Sequence, residues 1–264
     1  MKNFSLKQAF SCAATEFVKW VCDARMVIVA VLLIFINNFA VSPLTNNAEL
    51  MGEPLNILEP FIAVANSEIL KHINVSFEEG KIHGLIGRNG SGKTMLMKCI
   101  CGFIKPTSGV ITVDGKQVGK DVDFPKDMGI IIETPGFIPY YSGYKNLKLL
   151  AGLNNKIGKE EIRNSMKQVG LDPDLKRHVR KYSLGMRQRL GLAQAIMENP
   201  KILILDEPFN GLDKDGVKEM REYLLSYKEQ GKTILICSHS AEDISVLCDT
   251  VHEMDKGVIS ENTF

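Results

Sequence analysis

The chain has 264 residues, and its 32 Lys and Arg nearly balance 31 Asp and Glu, for a net charge of +1. That balance excludes a broad electrostatic pull toward nucleic acid or acidic partners, so no nucleic-acid partner is expected. The length fits one large domain or one domain with an appendage, and 45% hydrophobic residues can fill a real core. Of the six cysteines, Cys12, Cys22, Cys99, Cys101, Cys237 and Cys248, none makes a C-x-x-C pair or has a histidine at zinc spacing. They are expected to be reduced thiols without a metal or redox role.

Residues 1–25 carry Lys2, Lys7, Lys19 and Arg25 against Glu16 and Asp23. Met26 to Ile36 is then an unbroken apolar run, interrupted by Asn37 and Asn38 and extended by Phe39, Ala40 and Val41. As a helix, 26–41 would span about 24 Å, a little short of a hydrocarbon core. It is a marginal transmembrane candidate; the alternatives are a buried soluble helix, which no amphipathic stripe exists to orient, and a secretory signal, whose basic region would be unusually long. Residues 42–67 differ again, with Pro43, Pro54, Pro60, three glutamates and no basic residue.

From Glu68 the pattern becomes regular. Ile69 to Phe77 alternates in part and reads as a strand, and Glu79-Gly80 turns the chain into the apolar strand Ile82 to Ile86. The next stretch, Gly87-Arg88-Asn89-Gly90-Ser91-Gly92-Lys93-Thr94, has the form G-x-x-x-x-G-K-T, and Met95 to Ile100 after it reads as a helix. Strand, glycine loop and helix are the context that a phosphate-binding loop needs. The glycines let backbone N–H groups turn inward around phosphate oxygens, and the helix N-terminus adds partial positive charge. Lys93 would reach the β- and γ-phosphates, and the Thr94 hydroxyl would ligate Mg²⁺.

Lys105 to Gly109 is a turn, and Val110 to Val113 followed by Asp114-Gly115 signals a strand and hairpin. Gly129 to Ile132 is a buried strand ending at Glu133-Thr134-Pro135-Gly136-Phe137. Helices are expected over Tyr144–Leu153 and Lys159–Val169. Another opens at Tyr182-Ser183-Leu184-Gly185-Met186-Arg187-Gln188-Arg189-Leu190 and stops before Asn199-Pro200. Ile202 to Leu205 ends in Asp206-Glu207, as a central parallel strand would at a ligand crevice. Asp206 would hold Mg²⁺ through water, and Glu207 would orient or deprotonate an attacking water. Asn210 to Asp213 is a loop, Lys214 to Gln230 an amphipathic helix, and Thr233 to Cys237 a strand with Ser238-His239 at its end. His239 is placed to sense a γ-phosphate. Val251–Met254 and Val258–Ser260 close the sheet.

Together, over about Glu68–Glu261, these motifs resemble the ATP-binding subunit of ABC transporters. The Glu133–Phe137 stretch and the Ser-Leu-Gly-Met string look most like the ABC-2 kind that exports drugs, lantibiotics or bacteriocins. The resemblance implies an α/β fold of the P-loop NTPase class over 68–264, with a RecA-like sheet and a helical subdomain at about 134–185. It implies ATP and Mg²⁺ as ligands, and a second ATP-binding domain, in a homodimer, docked head to tail. Gly87–Thr94, Glu133, Asp206 and Asp213 would hold nucleotide on one side, while Ser183 and Gly185 contact the γ-phosphate of the partner's ATP. Thr94, Glu133 and Asp206 would serve the metal, and Glu207 and His239 would be catalytic. An ABC-2-type permease would contact the region around Phe137–Leu153, placing the subunit at the cytoplasmic face of the cell membrane. Residues from about Phe17 to Ser67 loosely resemble the first membrane helix and following loop of such a permease. The N-terminal segment 1–67 therefore reads as permease-like, with a hydrophobic helix preceding the ATP-binding domain. Its basic-before, acidic-after charge pattern opposes the orientation that a cytosolic ATPase needs.

Three positions depart from the family pattern. Glu133 stands where glutamine is usual, and Leu184 and Met186 replace glycine and glutamine. The adenine-stacking aromatic of the opening strand falls on Val64, with Phe61 three residues away. That last departure supports an alternative, a truncated or fused nucleotide-binding module with weak or no ATPase activity.

Overall fold

The structure, a computed structural model, describes residues 69–262. The segment 1–67, its membrane-helix region 26–41, Phe61 and Val64 lie outside the described residues. The described residues fall in one unit, Glu68–Phe264.

Strand β1 (Ile82–Ile86) leads through the glycine loop into α1 (Lys93–Ile100). A small hairpin follows, β2 (Thr112–Val113) and β3 (Lys116–Gln117). Asp114 at φ 49° and Gly115 at φ 71° are both left-handed, as a two-residue hairpin turn of the right twist requires. Next come β4 (Met128–Ile131), α2 (Gly143–Asn154), α3 (Lys159–Gln168) and α4 (Leu184–Ile196). The chain finishes with β5 (Ile202–Asp206), α5 (Lys214–Glu229), β6 (Thr233–Cys237), α6 (Ala241–Leu247), β7 (Thr250–Asp255) and β8 (Val258–Asn262).

The main sheet has the order β4-β5-β6-β1-β7-β8. Its first five strands are parallel, and β8 runs antiparallel to β7. Parallel strands are covered on both faces, which is why β5 and β6 read as continuous apolar runs. The alternation of side chains across the pleat splits those runs between two cores. Leu203, Leu205, Ile234 and Ile236 face one cluster, filled by α4 residues such as Leu190 and Ala193 and α5 residues such as Met220 and Leu224. Ile204, Leu235 and Cys237 face the other, with Leu96 and Met97 of α1. Leu147 and Ala151 of α2, with Ile162 and Met166 of α3, join the first cluster through α4. The four cysteines among the described residues are free, and Cys99, Cys101 and Cys237 are buried.

Element expectations hold to within about two residues from β4 onward. Three do not. Ile69 to Phe77 forms no strand. Leu70, Ile73 and Phe77 pack onto the second core, and Lys71 N–H donates to the Gly257 carbonyl at 2.7 Å. A strand needs a ladder, and among the described residues no strand pairs with this segment, so apolar packing and the Lys71 bond hold it. The hairpin strands are shorter than Val110–Val113 suggests, because Val110 is exposed and Ile111 packs on no core. Helix α6 was not expected. Its signal is Ser240-x-x-Asp243, where the serine hydroxyl accepts the Asp243 N–H at 3.3 Å. No helix among the described residues is long and apolar enough to cross a membrane.

Candidate ATP site at the carboxyl edge of the sheet

Register brings the motifs together. Leu85 of β1 is level with Cys237 of β6, which is level with Asp206 of β5, whose neighbour Leu205 is level with Ile131 of β4. The loops after these four strands therefore leave one edge of the sheet side by side: the glycine loop, Ser238-His239, Glu207 and Glu133. A crevice at the carboxyl ends of parallel strands is where open α/β sheets bind ligands.

The glycine loop is shaped by close approach. Gly87 has φ 144°, and a Cβ there would stand 2.1 Å from the Met254 carbonyl oxygen. Gly92, the N-cap of α1, has φ 110°, so the first turn of the helix opens onto the loop without a side chain in the way. The Lys93 ammonium donates to the carbonyls of Gly87 at 2.6 Å and Arg88 at 3.1 Å, which holds its charge over the loop. Ser91 is 4% exposed, and its Oγ has no hydrogen-bond partner among the described residues. A cavity of about 350 Å³ flanks the loop on the β7 side, lined by Gly87, Arg88 and Glu253 to Lys256.

On the β6 side the loop meets the acids. Thr94 Oγ1 donates to Asp206 Oδ2 at 2.9 Å, joining two motifs 112 residues apart in sequence. Glu207 follows in left-handed conformation, φ 50°, a strained state for an acid that recurs at active sites. Its N–H donates to the Cys237 carbonyl at 3.0 Å. Its Oε1 is buried and makes no aligned hydrogen bond, although His239 Nε2 approaches to 3.4 Å, within ion-pair range for a protonated imidazole. Burial pushes the Glu207 carboxyl above the ordinary range, with His239 opposing the rise.

Glu133 also adopts the left-handed region, φ 60°. It is mostly exposed, and its Oε1 accepts from Lys98 of α1 at 2.6 Å. The structure thus gives this acid a lysine partner rather than a bond to Thr94 or Asp206. Ser183 caps α4, its Oγ accepting the Met186 N–H at 3.2 Å. A Cβ on Gly185 would stand 2.5 Å from the Gly211 carbonyl oxygen, so the start of α4 lies against the loop leading to Asp213. Asp213 caps α5 by accepting the Gly216 N–H at 3.2 Å. Gly87 to Thr94, Asp206, Glu207 and His239 form one cluster, whereas Ser183, Gly185 and Asp213 form a second, built on the start of α4 and the start of α5.

Two residues without a predicted role join these parts. Gln188, buried in α4, donates through Nε2 to the carbonyls of Glu207 at 3.1 Å and Pro208 at 2.9 Å. Arg189 donates to the Val169 carbonyl at 2.6 Å and lies near Asp213 and Glu219. A polar residue among the apolar positions of an otherwise buried helix face is the signal that could have marked Gln188.

The family model for ABC transporters matches residues 70–210. The chain belongs to the ABC transporter family. It is 45% identical over 207 residues to the ABC transporter ATP-binding protein YybJ of Bacillus subtilis (strain 168), spanning 78% of this chain and 94% of YybJ. It is 41% identical over 196 residues to the bacitracin transport ATP-binding protein BcrA of Enterococcus faecalis, spanning 73% of this chain and 63% of BcrA. The fold is similar to the ATP-binding cassette MJ0796, solved as a dimer in a post-hydrolysis state bound to ADP and Pi, with a TM-score of 0.67 and 21% identity over 74% of this chain and 90% of MJ0796. This cassette is thus an ATP-binding subunit and ATPase of the ABC type.

The donor set suits Mg²⁺. Thr94 and Asp206 already bring two hard oxygens to 2.9 Å, and no group of three or more His, Cys, Asp or Glu among the described residues could cage a metal alone. Mg²⁺ characteristically takes one or two protein oxygens and completes its shell with phosphate and water.

Proposed function

We propose that this cassette powers an exporter of small antibacterial compounds, working as a head-to-tail homodimer on an ABC-2-type permease at the cytoplasmic face of the cell membrane. The observation that carries the catalytic part is the Thr94–Asp206 bond, with the half-buried, strained Glu207 next in sequence and His239 beside it. In this reading Gly87–Thr94 cradle the triphosphate, and Lys93 transfers its bonds from the loop carbonyls to phosphate oxygens. Bound Mg²⁺ would neutralise the β- and γ-phosphate oxygens, held by Thr94 and Asp206 with Glu133 beside them. Glu207 orients the attacking water and accepts its proton, and His239 steadies the γ-phosphate. Ser183 and Gly185, at the N-terminus of α4, contact the γ-phosphate in the opposite subunit, where helix N–H groups face an anion favourably. Asp213 lies between the two sites.

Export rather than uptake is suggested by the bacitracin transport relative and by the Glu133 string. The permease would meet the surface around Phe137–Leu153, where Ile138, Tyr140, Leu149 and Leu153 are exposed. The test is turnover with gel filtration. Purified chain should hydrolyse ATP, Glu207→Gln should reduce turnover by at least about a hundredfold, and ATP should convert that variant from monomer to dimer. Turnover persisting in Glu207→Gln would remove Glu207 from the mechanism, and a monomer at saturating ATP would remove the shared site.

A further inference from the structure

Asp243 is a charged group that ATP chemistry does not use, yet it is 4% exposed in the first turn of α6. Both of its oxygens are engaged. Oδ1 accepts from Arg221 Nε at 2.9 Å and from a terminal nitrogen of the same guanidinium. Oδ2 accepts from Ser238 Oγ at 2.8 Å. The Ser238 hydroxyl in turn accepts the Ser240 N–H at 3.1 Å, and Ser240 caps the helix that carries Asp243. The 238–240 turn is therefore closed on itself and anchored to α5 through Arg221.

His239 lies in the middle of that turn. Its ring is about half exposed and makes no hydrogen bond among the described residues beyond its 3.4 Å approach to Glu207. The ring is thus placed by its backbone, and that backbone is fixed on both sides. Before it, Cys237 accepts the Glu207 N–H and Ser238 is tied to a buried carboxylate; after it, the Ser240 N–H donates to Ser238 Oγ. A carboxylate out of water that loses one of its donors is costly, so the link resists distortion.

We propose that Ser238 and Asp243 are positioning residues for hydrolysis. The chain Arg221–Asp243–Ser238 sets the turn that holds His239 against Glu207. Arg221 is about two helical turns beyond Asp213 in α5, so the same link connects this turn to the helix that Asp213 begins. The inference rests on reading His239 and Glu207 as the catalytic pair.

The experiment measures ATP hydrolysis by the full chain under steady-state conditions, and by single turnover with γ-labelled ATP where rates are low. The proteins are wild type, Ser238→Ala, Ser238→Thr, Asp243→Asn, His239→Ala and the Ser238→Ala/His239→Ala double variant. Ser238→Ala should lower kcat about tenfold with KM for ATP unchanged within about twofold, as a misplaced catalytic group does. Asp243→Asn should follow the same split, and Ser238→Thr, which keeps the hydroxyl, should recover most of the rate. In the His239→Ala background, adding Ser238→Ala should change the rate by less than about twofold. Equal losses in both backgrounds, an unchanged kcat in Ser238→Ala, or a loss carried by KM would each overturn the proposal. Full turnover by His239→Ala would instead show that His239 is not catalytic, and no turnover by the parent chain would remove the ATPase reading. These two failures are distinct from a failed coupling.

Discussion

Glu207 concentrates the physical tension of the site in one residue. Its backbone is in the left-handed region, uncommon for a residue other than glycine, and one carboxylate oxygen is buried without a donor. Burial raises its pKa above the usual carboxylate range. A general base works only when ionised, so the acid limb of the kcat profile should lie above the ordinary glutamate pKa of about 4.3. Stability runs the other way. A carboxyl whose folded pKa is raised stabilises the fold below its unfolded pKa and loses that contribution as pH rises through the folded value. Glu207→Gln should therefore raise the melting temperature at pH 7, with the difference shrinking toward pH 4, while turnover collapses. An equal or lower melting temperature at pH 7 would mean that the ion is better compensated than its geometry shows. Lys98 and Glu133 form a milder pair. Both are partly exposed, and their 2.6 Å contact belongs with surface ion pairs of about 0–1 kcal/mol. Glu133→Gln should change stability by less than about 1 kcal/mol.

At the level of elements, short polar contacts decide how helices meet the edge of the sheet. Ser183 caps α4, and losing such a cap costs about 1 kcal/mol. The same hydroxyl faces the opposite subunit's phosphate in the proposed dimer. Ser183→Ala should thus lower thermal stability slightly and, in the Glu207→Gln background, weaken ATP-dependent dimer formation by much more than the cap alone accounts for. Loss of stability without loss of the dimer would confine Ser183 to capping. On the opposite side of β1, buried His83 bridges to β7. Its Nδ1 lies 2.7 Å from Thr250 Oγ1 and its Nε2 2.8 Å from the Glu78 carbonyl. Burial lowers its pKa, outweighing the nearby acids. The fold then holds His83 neutral while the unfolded chain takes up a proton below about pH 6.5. Stability should fall as pH drops below that value, and His83→Gln should flatten the slope in melting temperature between about pH 7 and pH 5.

At the scale of the whole chain, the ATP site is complete only across two subunits in the proposed reading, and the chain carries the apolar stretch 26–41 before the cassette. Full-length protein should remain with the membrane fraction after an alkaline carbonate wash. Its recovery in the supernatant would reject an anchoring role for 26–41. The alternative of a module that binds without turnover predicts ATP binding with no release of phosphate, which the same purified protein can show.

Much of the geometry of the candidate site was legible in the sequence because it depends on local spacing. Gly87–Thr94 needs glycines at fixed offsets, Asp206-Glu207 needs an apolar strand before it, and His239 needs a strand end. The same holds for the continuous apolar runs of β5 and β6 and for the existence of helices α4 and α5. What depends on distant partners was not legible. The reading of Ile69–Phe77 as a strand failed because a strand exists only by pairing, and no strand among the described residues pairs with it. The lysine that meets Glu133, the glutamine that holds the loop after Glu207, and the link from Arg221 through Asp243 to Ser238 join residues 5 to 35 apart in sequence. Sequence by itself determined which atoms could grip a phosphate, because backbone turns and charge follow from neighbouring residues. Only the tertiary structure decided which of them meet, because parallel register places four separate strand ends at one edge, and hydrogen bonds across that edge select the partners.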